Sequence, residues 1–318
     1  MKFTQYSTKI VAALAIAAST SGVFNGSQAM QRSQSQAGIW QSQPVTFAAL
    51  LPAFPKIGSR YPAVLDSTAR SPLVPRMVSQ LDSKVDLALL AKASAAFLQS
   101  DRYQTESEIQ VQATSGGTEV TSNAKAITTV QSPSQFRSEI TFAQPKATAK
   151  IGSTVISDGK QVWMYRPDLK QYAVMPVKNF DDSDDNYWIG MSSLWFLQIP
   201  AEVRKPIAAG ALADPKVQKE MGLSNDLPLT GSKQTVNGQE FYVYEYTDKD
   251  GFAIRTFVEP ATANLKQVVV TGKSEGYNVV ITERILRRTP MPPTTASTFK
   301  FSPPKGAKLV KSLSIGPL

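Results

Sequence analysis

The sequence predicts a mainly β protein of the α+β class, in which an incomplete antiparallel β-barrel is covered by helices. Many short segments alternate apolar and polar residues, which is the period of a strand with one buried face. Tight-turn pairs separate these segments, for example at 158–159, 237–238 and 250–251. Helical spacing is confined to one segment before the strands and one between two sets of strands. Hairpin-joined strands with helices set apart favour one antiparallel sheet over a helix layer.

The first 29 residues have the features of a cleavable export signal. Lys2 and Lys9 supply positive charge, residues 10–18 are apolar, and Ala29 ends a motif of small residues. The apolar stretch is too short for a membrane span, which takes about 20 residues. We therefore predict export across the inner membrane with cleavage near Ala29. An uncleaved N-terminal anchor is the alternative.

The remaining chain divides into a leader and one domain. Residues 30–83 are rich in Pro, Gln and Ser, and this composition predicts a mostly disordered leader. We place the domain at 84–318, with a helical insertion at about 184–222. Its first helix is predicted over 85–98, with Asp82 or Ser83 as the N-cap.

The strands of this domain fall into two sets, on either side of the insertion. The first set is predicted at 103–113, 118–130, 135–142, 150–157, 161–166 and 172–177. The second set runs from 231 to 289 and includes 241–246, 253–258, 265–271 and 277–284.

Composition excludes several classes of function. The chain has no Cys, which rules out disulfides and a lipid thioether, and no His, which rules out Ser-His-Asp catalysis and histidine-ligated metals. It has no Gly-x-Gly-x-x-Gly motif, so no nucleotide cofactor is expected. The formal net charge of +9 is dispersed along the chain, which suits approach to an anionic membrane better than binding of nucleic acid. We therefore favour a binding protein over an enzyme, without cofactors.

An acidic run at 181–185 precedes the inserted helical segment. Its charge suits a helix N-terminus. Its alternating oxygens are also reminiscent of a calcium loop, but Asn186 stands where that loop needs Gly and Ser192 where it needs a bidentate Glu. We therefore interpret the run as a solvated cap and predict no metal site.

An unusually aromatic set of residues remains once these motifs are assigned. Such residues can fill a core beneath the helices, or they can line an apolar pocket and its lid. The candidates for cavity and lid are Phe136, Ile140, Phe142, Trp163, Tyr165, Trp188, Met191, Leu194, Trp195 and Phe257.

Two motifs carry a resemblance to a known family. Residues 155–172, VISDGKQVWMYRPDLKQY, and residues 299–307, FKFSPPKGA, resemble the strand-turn-strand and closing motifs of the LolA-like lipoprotein-carrier superfamily. The resemblance covers about 85–309. It implies a periplasmic protein with an incomplete β-barrel, a lid helix at about 188–197 and an apolar cavity for acyl chains, without catalytic groups. The carriers' basic residue before the proline of the third strand is replaced here by Ser132.

These observations lead to one functional hypothesis and two alternatives. The hypothesis is a periplasmic, monomeric carrier of lipid acyl chains or lipoprotein anchors, with inner- and outer-membrane protein partners and a role in outer-membrane biogenesis. The first alternative is an envelope lipid- or lipoprotein-sensing domain of the same fold. The second is a hydrolase of envelope polymers, which predicts a cleft with convergent carboxylates.

Overall fold

The computed structural model describes residues 79–81, 85–143, 151–183, 185–220, 223, 229–248, 251–274 and 276–316. The predicted signal at 1–29 lies outside them, as does the predicted leader except for residues 79–81. No helix in the described part of the chain is long and apolar enough to cross a membrane.

Thirteen strands of the described residues form one sheet. They are β1 Ser79–Leu81, β2 Arg102–Ser115, β3 Thr118–Gln131, β4 Gln135–Phe142, β5 Ile151–Asp158, β6 Gln161–Arg166, β7 Gln171–Pro176, β8 Leu229–Val236, β9 Gln239–Thr247, β10 Ala253–Glu259, β11 Asn264–Ser274, β12 Tyr277–Pro290 and β13 Lys308–Leu309.

The sheet is open and almost wholly antiparallel. Its order is β1-β8-β9-β10-β11-β12-β2-β3-β4-β5-β6-β7-β13, and only the last pair, β13 with β7, is parallel. Within the described residues no ladder joins the two edges, so the barrel is not closed. The predicted fold class, an incomplete antiparallel barrel with a helical cover, is confirmed.

Alternation along the strands separates an inner face from an outer face. In β2 every second residue from Tyr103 to Ile109 is buried, and in β4 the same holds from Phe136 to Phe142. The inward apolar residues join the main core cluster, which also contains the helices. The helix layer therefore covers the inner face of the sheet.

Five α-helices and two 3-10 turns make this layer. They are α1 Leu87–Leu98, α2 Val177–Asp181, a 3-10 turn Asn186–Ile189, α3 Met191–Gln198, α4 Ala201–Ala208, a 3-10 turn Ala211–Ala213 and α5 Pro215–Glu220. We call residues 186–198, the first 3-10 turn with α3, the lid.

The start of α1 differs from the predicted one because the chain has a better cap further on. Asp86 is the N-cap, and its Oδ1 accepts a hydrogen bond from the Leu89 N–H at 2.9 Å. Two tyrosines of β9 fix this end of the helix. The Asp86 N–H donates to Tyr242 Oη at 2.9 Å, and Tyr244 Oη donates to the Asp86 carbonyl at 2.7 Å.

The acidic run at 181–185 does not form the predicted solvated cap of a helix. Asp181 ends the short helix α2, where a negative charge opposes the helix dipole. Asp185 precedes the 3-10 turn, but its side chain makes no cap hydrogen bond there. It binds the C-terminal segment instead, since its Oδ2 accepts from the Ser314 hydroxyl and from the Ile315 N–H, both at 2.9 Å.

Candidate functional site

The lid is mostly apolar and lies between the sheet and the other helices. Six consecutive residues of α3, from Met191 to Phe196, are buried, and Trp188 in the preceding turn is 3% exposed. A helix without a polar, exposed face needs cover on every side. The lid therefore belongs to the interior of the closed molecule.

Aromatic contacts join the lid to the inner face of the sheet. The Trp188 ring meets Phe142 of β4 edge to face at a centroid distance of 4.9 Å, and Phe196 meets Tyr103 of β2 in the same way at 5.2 Å. Such pairs add about 0.5–1.5 kcal/mol each beyond area burial. Side chains thus occupy the layer between sheet and lid.

Seven of the ten predicted site residues come together in this layer. All seven are members of the main core cluster: Phe136, Ile140, Phe142, Trp188, Met191, Leu194 and Trp195. The structure places the sheet residues of the set on β4 and the others in the lid.

The other three predicted residues lie on the outer face. Trp163 and Tyr165 alternate with inward residues of β6, and both rings lie 6.3 Å from the ring of Phe301, between centroids. Phe257 belongs to a second, smaller cluster with Phe241 and its neighbours. These three side chains do not face the lid.

A buried carboxylate that sequence reasoning missed fastens the lid to the sheet. Glu283 of β12 is 0% exposed. Its Oε1 accepts from the hydroxyls of Ser107 at 2.6 Å and Ser192 at 2.8 Å, and its Oε2 accepts from the Ser192 N–H at 2.7 Å. Burial raises the pKa of Glu283, and the serine hydrogen bonds oppose that rise. We call Glu283, Ser107 and Ser192 the carboxylate clamp.

A second polar contact fixes the same end of the lid. Thr128 of β3 donates its hydroxyl to the Ile189 carbonyl at 2.8 Å, and the same oxygen lies 2.7 Å from Ser138 Oγ. The clamp and this bond both act on residues 189–192. The amino end of the lid is therefore the fastened end.

A cation lies beside the other half of the lid. The Arg288 guanidinium carbon is 3.9 Å from the ring centroid of Tyr103, 4.1 Å from that of Phe97 and 5.7 Å from that of Phe196. Its Nη2 donates to the Phe97 carbonyl at 3.3 Å. Burial lowers the pKa of Arg288 to about 10, so it stays charged at neutral pH and favours the ionised form of Glu283.

Gly190 joins the two halves of the lid under a tight constraint. Its φ is +93°, and a Cβ there would lie 2.7 Å from Glu283 Oε1. The Gly190 ψ of 129° completes a conformation that is essentially restricted to glycine. Gly210 also has a positive φ, +90°, but its ψ of 14° places it near the αL region, and nothing lies within 4 Å of its Cβ position. Gly210 is therefore a reference with less backbone strain and no contact with the clamp.

We expect Gly190→Ala to lower the free energy of unfolding by about 3 kcal/mol, because strain and displacement of the clamp add. The Gly210→Ala change, near the αL region and away from the clamp, should cost about 1 kcal/mol. Urea unfolding of both variants measures the difference. Equal losses would show that the clamp does not depend on Gly190.

Asp181, at the end of α2 and just before the lid, makes the free energy of unfolding depend on pH. Burial and the neighbouring charge of Asp182 raise its pKa to about 6. A raised carboxyl pKa means that the folded state binds the proton more tightly than the unfolded chain does. Protonated Asp181 therefore stabilises the fold below about pH 4, and this contribution is lost as the pH rises to about 6. Asp181→Asn should raise the free energy of unfolding at pH 7.5 by about 1–2 kcal/mol, after allowance for partial exposure, and leave it nearly unchanged at pH 4. Equal gains at the two pH values would contradict this assignment.

A cavity of about 400 Å³ lies apart from the lid, beside the ends of β2, β3, β4 and β5. Its lining combines the polar side chains of Arg102, Gln131, Asp158 and Lys300 with the apolar Phe299 and Ala296. Among the described residues, no group of three or more acidic side chains is placed to hold a metal ion.

Distant likenesses exist among solved structures. An uncharacterized conserved protein from Thermus thermophilus is 13% identical, with a TM-score of 0.36 over 71% of this chain and 98% of that one. A putative outer membrane lipoprotein-sorting protein domain from Vibrio parahaemolyticus is 10% identical, with a TM-score of 0.31 over 67% and 95%. A LolA superfamily protein from Nitrosomonas europaea is 9% identical, with a TM-score of 0.28 over 69% and 99%. Likenesses this distant say nothing about what the present chain binds.

A search of curated proteins found no match. A family model described as "Predicted periplasmic protein (DUF2092)" matches residues 88–313, which is most of the chain and nearly all of the described domain. The family's description agrees with the periplasmic location that the sequence predicts. The chain belongs to the DUF2092 family of predicted periplasmic proteins.

Proposed function

We propose that the protein is a non-enzymatic periplasmic carrier, which takes up lipid acyl chains or the lipid anchor of a lipoprotein between the inner face of the sheet and the lid. The observation that carries this proposal is the lid itself. It is a mostly apolar layer, buried on all sides, that covers the inner face through side-chain packing. An acyl chain offers the same kind of surface and can replace it.

Exchange between lid and cargo is energetically feasible. Each CH₂ moved from water to an apolar site contributes about 0.8 kcal/mol, so a long chain offsets the lid contacts that it displaces. Because an acyl chain and the lid side chains that it displaces bury similar apolar surfaces, the difference in free energy between the closed and the loaded states is small. Loading and release then need no energy source beyond a partner that favours one state.

Unpaired polar atoms favour opening from the carboxyl half of the lid. In the described part of the chain, Ser193 Oγ, Trp195 Nε1 and Gln198 Oε1 are buried without a hydrogen-bond partner. Each such atom costs the closed state about 1–3 kcal/mol. Since the clamp holds residues 189–192 in place, we infer that the lid pivots about its amino end. Its carboxyl half then moves away from the sheet.

Native mass spectrometry of protein purified from its own envelope fraction tests this function. We expect a population carrying the added mass of a lipid, or co-purifying acylated protein. Protein stripped of this cargo should take up a fluorescent fatty acid in a saturable manner. Protein that never carries a lipid or an acylated protein, and that also does not bind the fatty acid, would contradict the proposal.

A further inference from the structure

The C-terminal segment crosses from the edge of the sheet to its inner face. The strand β13 pairs with β7, and the Val310 N–H donates to the Tyr172 carbonyl at 2.9 Å. Lys311 and Ser312 are exposed. Beyond them Ile315 is 0% exposed and belongs to the main core cluster. The segment 314–316, whose backbone bends at Ile315 and Gly316, is therefore seated in the interior.

A buried arginine binds two carbonyls of this segment. Arg166 of β6 is 4% exposed, and its Nη1 donates to the Gly316 carbonyl at 2.7 Å and to the Ser314 carbonyl at 3.4 Å. Asp168 holds the guanidinium from the other side, with hydrogen bonds of 2.9 and 2.8 Å. The bidentate pair fixes the donors in direction.

Two further side chains bind the segment between those carbonyls. Ser153 of β5 donates its hydroxyl to the Ile315 carbonyl at 2.6 Å. Asp185, just before the lid, accepts from the Ile315 N–H and the Ser314 hydroxyl. Three side chains from three separate parts of the chain thus bind four backbone groups of one tripeptide.

The site also selects side chains. The Ile315 side chain is fully enclosed, which favours a branched aliphatic residue at this position. A Cβ on Gly316 would lie 3.4 Å from Trp188 Nε1, at the close limit of ordinary van der Waals contact, so a small residue fits there. The Ser314 hydroxyl adds a small polar residue before them. The pattern that fits is small polar, branched aliphatic, small.

We propose that Ser153, Arg166 and Asp185 form a binding site for a short peptide of this pattern, which the chain's own C-terminal segment occupies here and a partner protein's segment can occupy in its place. Without an occupant, Ser153 and Asp185 lose their hydrogen bonds to the segment and Arg166 keeps only Asp168. Buried groups left in that state are costly, so the site favours being filled. Main-chain hydrogen bonds give such a site affinity, and its side-chain pockets give it specificity. The proposal is independent of the lipid function.

Binding of a labelled peptide in trans tests the site. Ile315→Asp in the full chain should release the segment, because a carboxylate is not tolerated at a fully enclosed position. A fluorescent peptide of residues 309–316 should bind this variant at least tenfold more tightly than the unchanged chain, by anisotropy. Leu309→Asp, at a position that is 60% exposed, is the matched control and should keep the site closed to the peptide. The same peptide with the Ile315→Asp change should not bind.

A folded Ile315→Asp variant that does not bind the peptide would overturn the proposal. Equal binding of the peptide to this variant, to Leu309→Asp and to the unchanged chain would overturn it too. A second route covers a variant that fails to fold. A specific protease site inserted between Lys311 and Ser312 allows the segment to be cut after the full chain has folded. We expect the cut segment to exchange with the labelled peptide. A cut chain that retains its segment and admits no peptide would make the segment a permanent part of the core.

Discussion

Trp195→Asp is expected to abolish fatty-acid uptake and to lower the free energy of unfolding by more than about 4 kcal/mol. Trp195 is 2% exposed and lies in the carboxyl half of the lid. Its removal leaves a cavity that costs about 3–5 kcal/mol, and an ionised carboxylate adds the cost of desolvation. The lid should leave the sheet, so that an acyl chain loses its cover on one side. Uptake of a fluorescent fatty acid and urea unfolding measure the two effects.

The matched control is Trp163→Asp on the outer face. Trp163 is half-buried and stacks on Phe301, on the face of the sheet opposite the lid. We expect a loss of about 1–2 kcal/mol and unchanged uptake. Far-UV circular dichroism should keep its β-sheet signal in both variants. If Trp195→Asp takes up fatty acid as well as Trp163→Asp does, the assignment of the lid is wrong.

Glu283→Ala is expected to lower the free energy of unfolding by about 3–5 kcal/mol. The change leaves the Ser107 and Ser192 hydroxyls and the Ser192 N–H without their acceptor in a site closed to water. It also leaves the charge of Arg288 uncompensated. Because the clamp fastens the lid, limited proteolysis should cut the variant first within residues 186–198, and urea unfolding measures the total loss.

Glu139→Ala is the surface counterpart for this comparison. Glu139 is paired with Arg137 at 2.9 Å, but its side chain is 61% exposed. Exposed ion pairs contribute about 0–1 kcal/mol, so this variant should unfold almost as the unchanged chain does. Losses of similar size in the two variants would mean that Glu283 is not the fastening point of the lid.

The elements of the fold were predictable because their signals are local. The strands β4 and β6 have the predicted bounds, 135–142 and 161–166. Alternation of apolar and polar residues defines β4, and the Asp158-Gly159 turn defines the start of β6. The apolar residues of the lid were likewise evident from their spacing. Neither prediction required knowledge of distant contacts.

The face on which an aromatic residue lies was harder to predict. In β6 both faces are apolar, with Val162 and Met164 inward and Trp163 and Tyr165 outward, so alternation does not distinguish the faces. The outward pair is covered by Phe301, which lies in the closing motif far along the chain. A strand covered on both sides has no polar face to set its register against the core.

Phe257 was a candidate for the cavity, but it lies on the outer face. Phe257 and Val258 are adjacent in β10, so they point to opposite faces, and both are buried. The sequence did contain a signal for the assignment, because the charged residues Arg255 and Glu259 lie two positions on either side of Phe257 and share its face. Val258 lies on the inner face, in the main core cluster.

The polar contacts that organise the site could not be predicted, because they join distant parts of the chain. Glu283 meets Ser192 across 91 residues, and Asp185 meets Ile315 across 130. One signal was present in the sequence: Glu283 lies at an inward position between Ile281 and Ile285 of β12. A charged residue in such a place predicts a buried partner but does not name it.

The most direct test of acyl-chain binding beneath the lid is quenching of single tryptophans by a fatty acid brominated at mid-chain. One variant keeps only Trp195, in the lid, and the other keeps only Trp163, on the outer face, with the remaining tryptophans changed to Phe. Bromine quenches an indole that it touches. If the acyl chain lies between the sheet and the lid, Trp195 emission falls in a saturable manner and Trp163 emission stays constant. Bound fatty acid that leaves Trp195 unquenched, or quenches Trp163 equally, would contradict binding between the sheet and the lid.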